Sequence, residues 1–428
     1  MPSATSAPAT NTAEEATASG TTADPATTAV TATAATARPA APAYLLPLIA
    51  VCTAVTAANI YLAAPLLPLI AHSFGGTPSG VAWIASVAQF GYAAGLLFFA
   101  PLGDTVDRRR LVGGLSLLAA TALAAAAAAT GTAVLAAAVL VASAATVVPQ
   151  LLVPLVAARA PADRRARHVA ALIAGLFTGI VAARVLGGLV GQAFGWRVVF
   201  VGAAALTAVL GLATARALPR EDRPRRTGGL FAGLTSLPGV VRSSPDLWRA
   251  CVRQAGMYGA WSALWTSLAL LLTGPEYGLS TATAGLFGLF GLAASAVAPL
   301  AGGLVDRFGA AKVVRSAYLL AAVCVPLFWL GGHVLAALFA AAVAIHAALV
   351  ASHVANQTLA LTTTAAPATA NTAYVVASFA GGALASALTG PAYAHWGWSG
   401  VCTVAGAWLL AGWLTTGTRA GTSSRPGR

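Results

Sequence analysis

Apolar stretches of about 18 residues or more, long enough to cross a bilayer, recur along nearly the whole chain, each bounded by Gly, Pro or charge. Such segments must satisfy their own backbone polar groups, which makes each of them a helix. Charged residues are only 8% of the 428 and hydrophobic ones 58%, so no polar surface is available to cover the two or three soluble domains that this length would otherwise imply. The fold class is therefore all-α, a polytopic membrane protein. Reading the runs in order predicts twelve transmembrane helices in two groups of six, at roughly 44–70, 81–102, 110–129, 132–157, 168–192 and 197–217, then 249–273, 280–304, 312–331, 333–357, 370–392 and 397–417.

Twelve spans put alternate loops on opposite sides, and the basic residues test that assignment. All but two of the 24 Lys and Arg residues fall in the even-numbered connections, their flanking span ends, or the two tails. The exceptions are Arg197, on the other side, and Arg184, deep within the fifth span. Positive charge accumulates on the cytoplasmic side, so both termini are expected there. The net charge of +13 is scattered among short loops and forms no stripe, which argues against a nucleic-acid partner. Residues 1–43, mostly Ala, Thr, Ser and Pro, lack the basic start and apolar core of a signal peptide and read as a disordered cytoplasmic tail. Residues 44–217 and 249–417 are expected to form the two six-helix bundles, 218–248 a cytoplasmic linker, solvated near anionic lipid or holding a short interfacial helix, and 418–428 a second tail. Cys52, Cys251, Cys324 and Cys402 are widely spaced in apolar runs and show no metal-binding spacing.

A charged turn occurs twice, as APLGDTVDRRR from Ala100 to Arg110 and GGLVDRFGAAK from Gly302 to Lys312. Both follow the second span of their half, so the two bundles are expected to be pseudo-symmetric. Asp104 can sit against the positive end of the helix starting near 370, and Asp306 against that starting near 168, an attraction of about 0.3–1 kcal/mol at exposed sites. We read this pair, with Arg108, Arg109, Gly302, Arg307 and Gly309, as a cytoplasmic latch that favours an outward-open state.

These residues carry a resemblance to the major facilitator superfamily, whose turn after the second span is Gly-x-x-x-Asp-Arg-x-Gly-Arg-Arg. The second copy fits with Gly302, Asp306, Arg307, Gly309 and Lys312. The first is degenerate, with Thr105 replacing the Arg and Asp107 the Gly. ANIYLAAPLLPLIAHSFG, QFGYAAGLLFFAPLGD and HVANQT look like a bacterial sugar-efflux-like or drug-efflux-like branch. The resemblance covers about 44–417 and implies a secondary transporter that exports small drug-like or sugar-like solutes by alternating access, acting as a monomer in the cell membrane, with protons as the exchanged ion. A passive facilitator is the alternative. No cofactor, metal or ATP-binding loop is expected, and no enzymatic activity.

The eleven acidic residues all lie in tails and connections, so no buried carboxylate is available as a proton carrier. Arg184 is the sole charge deep in a span, and placing Arg at mid-span costs about 2.5–3.5 kcal/mol. It stands in GIVAARVLGG, where the family's antiporters have Gly-Pro-x-x-Gly-Gly, with Gly179, Gly187 and Gly188 retained. Two readings are open: a cation facing the central path, toward an anionic substrate group or a moving counter-charge, or an Arg that snorkels outward or hydrogen-bonds carbonyls between helices. The resemblance makes the first, fourth, seventh and tenth spans line the cavity. Asn59, Gln150, Tyr258, Trp261, Trp265 and His346 on those spans, joined by Gln89 and Tyr92 from the second, would form a mostly hydrophobic pocket with a few amides. His346 is the one candidate there for exchanging a proton near neutral pH.

Overall fold

The computed structural model describes residues 44–104, 106–159, 165–218, 232–291, 297–362 and 367–417; the tails expected at 1–43 and 418–428 lie outside them. Among the described residues every regular element is a helix. The first half contains α1 (Leu45–Asn59), α2 (Ala63–Ser73), α3 (Pro78–Val81), α4 (Trp83–Phe99), α5 (Arg108–Ala127), α6 (Thr132–Ala145), α7 (Val148–Arg159), α8 (Arg165–Phe194) and α9 (Trp196–Ala217). After α10 (Ala232–Ser243), the second half contains α11 (Pro245–Thr273), α12 (Thr281–Leu286), α13 (Val297–Phe308), α14 (Ala310–Leu330), α15 (Leu335–Thr362) and α16 (Pro367–Trp413).

Helices and spans do not correspond one to one, for local reasons. Pro65 has no N–H for the Tyr61 carbonyl one turn earlier, and the chain leaves the helix at Ile60–Leu62. The result is one broken span, α1 and α2, bent by 42°. Pro149 similarly divides α6 from α7, where Thr146 Oγ1 bonds back to the Ala142 carbonyl at 2.7 Å. In the opposite sense α16 is two spans, because Gly397 (φ 58°, ψ −147°) turns the chain where an L residue would be strained. Nine helical runs among the described residues are long and apolar enough to cross a membrane, and the bent pair makes a tenth. Counting α16 twice, and the run from α12 to α13 once, gives the twelve spans expected; residues 292–296 of that last run are not described.

The pseudo-repeat extends beyond the charged turn. Gly195 (φ 86°) caps α9 and Gly397 breaks α16, each immediately before a buried tryptophan, Trp196 and Trp398. The offset between those glycines equals that between Asp107 and Gly309, which cap α5 and α14. Gly309 takes φ 84°, whereas Asp107 keeps a negative φ and its Oδ1 accepts from the Arg109 N–H at 2.8 Å. The apparent degeneracy of the first copy is thus a different cap. Asp107→Ala should cost about 1 kcal/mol of stability and Asp107→Asn little, as thermal unfolding of the purified protein would report.

Within the first half α1 packs on α8, α4 on α6 and α5 on α9; within the second, α11 packs on α16 and α14 on α15. Leu117, Leu118, Leu206, Val209, Leu319 and Val323, on α5, α9 and α14, point outward to where lipid lies. The segment read as a solvated linker contains α10, whose Leu237, Val240 and Val241 pack on a small cluster of α11, α15 and α16 that includes Leu247 and Tyr374. The halves meet chiefly through α4 with α16, α8 with α12, and α2 with α11.

Candidate functional site

Arg184 is 7% exposed, yet among the described residues no acid pairs with it. Its guanidinium carbon lies 5.3 Å from the Tyr61 ring centroid, 5.4 Å from Trp261 and 4.7 Å from Trp265. A desolvated cation–π contact contributes about 2 kcal/mol, so three rings can offset the cost of holding this charge at mid-span. Tyr61 reaches the cation because the Pro65 break carries it out of the α1 helix. The tryptophans come from the other half, four residues apart on one face of α11. Across the same boundary the Tyr61 and Tyr258 hydroxyls are 2.8 Å apart.

His346 completes the cluster. Trp261 Nε1 donates to His346 Nε2 at 3.1 Å, and an indole N–H can only donate. Nε2 is therefore the bare nitrogen, and Nδ1–H donates to the Ala342 carbonyl at 2.9 Å. This bonding holds His346 as the neutral imidazole.

Next to the aromatic cluster lies a knot of hydroxyls. Gln89 Nε2 donates to Ser262 Oγ at 2.6 Å and Ser386 Oγ at 3.2 Å. The two serines are 2.8 Å apart, and Thr266 Oγ1 is 3.1 Å from Ser386. Tyr92 packs on Phe379 at 4.4 Å between ring centroids and accepts from Gln150 Nε2 at 3.2 Å. Two narrow clefts of unequal size share Ala64, Arg184 and Trp265 in their walls. The smaller also touches Gln89, Tyr61, Trp261 and Thr266.

Of the residues expected to form a pocket, the structure thus gathers Gln89, Tyr92, Tyr258, Trp261, Trp265 and His346 with Arg184 at the boundary between halves. Asn59 is not among them: its Nδ2 donates to Thr207 Oγ1 of α9 at 3.0 Å, inside the first half. Gln150 joins the group only through Tyr92. Tyr61, Ser262, Thr266 and Ser386 were not foreseen, since single hydroxyls in apolar runs are common; the Pro65 break beside Tyr61 was the one signal available. In the charged turns, Arg108 is buried and Arg109 half-buried, Asp306 and Arg307 are exposed, and among the described residues no ion pair involves Asp306. The Asp104 side chain lies outside the described residues.

Small residues let the halves approach. The α carbon of Gly188 on α8 faces that of Gly285 on α12 so closely that a Cβ on Gly188 would fall 2.7 Å from the Thr281 carbonyl oxygen and 3.1 Å from Gly285 Cα. Gln192 Oε1 accepts from the Thr281 N–H at 3.2 Å. On the opposite seam a Cβ on Gly390 would lie 2.7 Å from the Ser79 carbonyl oxygen. All these crossing contacts lie in the half of the molecule away from Arg108 and Asp306.

Residues 49–385 match the model of the Major Facilitator Superfamily. The chain is 82% identical over 375 residues to "Probable transporter SCO4007" of Streptomyces coelicolor, covering 87% of each protein. It is 34% identical over 380 residues to "Uncharacterized transporter YgaY" of Escherichia coli O157:H7, covering 86% of this chain and 95% of that one. Among solved structures, the nucleoside transporter NupG aligns with a TM-score of 0.70 at 14% identity, over 87% of this chain and 98% of NupG. A bacterial homologue of the human lysosomal transporter Spinster, inward-facing and unoccupied, aligns with a TM-score of 0.62 at 16% identity, over 89% of this chain and 95% of that one.

Proposed function

Because the chain belongs to the Major Facilitator Superfamily and is a multi-pass secondary transporter, we propose that it exports small drug-like or sugar-like solutes across the cytoplasmic membrane by alternating access. The observation that carries this reading is that, among the described residues, the close backbone contacts between halves lie toward one end. With the basic loops and both termini on the cytoplasmic side, the α8–α12 and α3–α16 seams close the external end. The Arg184 cluster then receives solute from the cytoplasm, and rocking of residues 44–217 against 249–417 would release it outside. In the opposite state Asp104 would meet the helix starting near 370 and Asp306 that starting near 168, so the exposure of Asp306 here fits a disengaged latch.

A second reading, facilitation without proton exchange, is favoured by His346. It is the cluster's only imidazole, and its Nε2 is already occupied by the Trp261 N–H. Protonation would break that bond and set a second cation beside Arg184. Flux of a panel of drug-like and sugar-like solutes from proteoliposomes, measured with and without a pH gradient, separates the two. We expect net flux that follows the solute gradient, with less than about a twofold effect of the pH gradient and none from His346→Gln on that response. Acceleration by the pH gradient, lost in His346→Gln, would restore proton antiport; no flux of any solute would refute transport.

A further inference from the structure

The cluster around Arg184 has too many donors and too few acceptors. Among the described residues the guanidinium has no hydrogen-bond or ion-pair partner; the three rings stabilise its charge through their faces but leave its N–H groups unbonded. Trp265 Nε1–H is buried without an acceptor. The Tyr61 and Tyr258 hydroxyls share a single bond, so the hydrogen of whichever accepts is also free. The unpaired acceptor nearby, Gln89 Oε1, faces Gly382. Arg253, a buried arginine of α11, shows the contrast: its Nε donates to Asn356 Oδ1 at 2.8 Å and its Nη1 to the Thr415 carbonyl at 3.3 Å. A buried guanidinium is normally finished in that way.

We infer that the solute supplies the missing acceptors, and that it is an organic monoanion, a carboxylate on an apolar or aromatic body, bound through Arg184. This rests on the transport reading above and narrows its substrate class. Two carboxylate oxygens match the planar fork of donors. A dianion such as phosphate would leave a net negative charge in a low-dielectric site that holds one cation. The indole walls and the alanines and glycines of the two clefts favour an apolar remainder.

Purified full-length protein is titrated with benzoate, phenylacetate and hexanoate, and with their uncharged amides, while tryptophan fluorescence is followed; chloride at equal concentration sets the background. At least one acid should give a saturable change, with its amide bound at least about tenfold more weakly. Arg184→Lys, which keeps the charge but loses the fork, should weaken the acid about tenfold, and Arg184→Gln should reduce the response to background. Equal binding of acids and amides, no response to any member of the panel, or full binding by Arg184→Gln would overturn the inference. Should Arg184→Gln fail to fold, the acid-to-amide ratio of the parent and the Arg184→Lys titration decide. Neutral solutes transported while the acids neither bind nor move would overturn the inference and leave the transport reading standing. Acid binding at Arg184 with no flux of any solute would do the reverse.

Discussion

Gly188→Val is expected to lower transport more than tenfold while leaving the protein folded, because the added side chain enters the seam between the halves and no bundle's interior. A Cβ at this position meets the Thr281 carbonyl and Gly285 Cα, both backbone atoms of the other half, which no rotamer change can clear. Overpacking of this kind costs about 1–3 kcal/mol. Here the cost applies only to the externally closed state, so it enters the conformational equilibrium directly and shifts the population toward outward-open. Gly187→Ala is the control, since its new Cβ would meet Pro65 Cγ at 3.4 Å, an ordinary contact within its own half. With Thr266→Cys as reporter, a membrane-impermeant thiol reagent added outside should label Gly188→Val faster than the parent; the four native cysteines are buried. Unchanged labelling together with wild-type flux would rule out the seam as the external gate.

That the same residue belongs to a stretch noted in the sequence shows what is legible there and what is not. Periodicity and charge expose the twelve spans because bilayer insertion acts on each segment independently, through its length and apolarity. Arg184 was visible for the same reason: one charge in hydrocarbon is conspicuous. Its surroundings were not, because they depend on which residues from distant spans share a depth and face. Tyr61 reaches Arg184 only through a helix break, and Trp261 and Trp265 only through packing of the halves. Asn59 shows the converse. Its mid-depth amide needed a partner, as expected, but Thr207 in the same bundle supplies it, and spacing along one helix cannot tell an inward-facing amide from one turned to a neighbour. The first charged turn fails for a third reason. Compared letter by letter with its repeat it has lost the glycine, whereas physically Asp107 replaces a positive-φ cap by a side-chain cap.

The glycines of α8 divide their work along the helix, and the second large effect concerns those that face inward. Gly175 and Gly179 seat α8 against α1: a Cβ on Gly175 would fall 2.7 Å from the Ala50 carbonyl oxygen, and one on Gly179 would fall 2.8 Å from Ala54 Cα. This is small-residue packing, in which helix backbones approach closely enough for dispersion to replace the hydrophobic drive that lipid cannot supply. Gly179→Leu would force α1 and α8 apart along their whole contact. The expected cost is on the order of 3 kcal/mol or more, above the usual range for overpacking because backbone lies on the opposing side. Unlike Gly188→Val, the change strikes both conformational states, since α1 and α8 belong to one bundle in each. It should therefore abolish most monodisperse protein in size-exclusion chromatography and lower the unfolding temperature of any that remains. Gly202→Leu on α9, where a Cβ meets nothing within 4 Å, should behave like the parent in both measurements. Full recovery of stable Gly179→Leu protein would mean that α1 and α8 do not pack in this register.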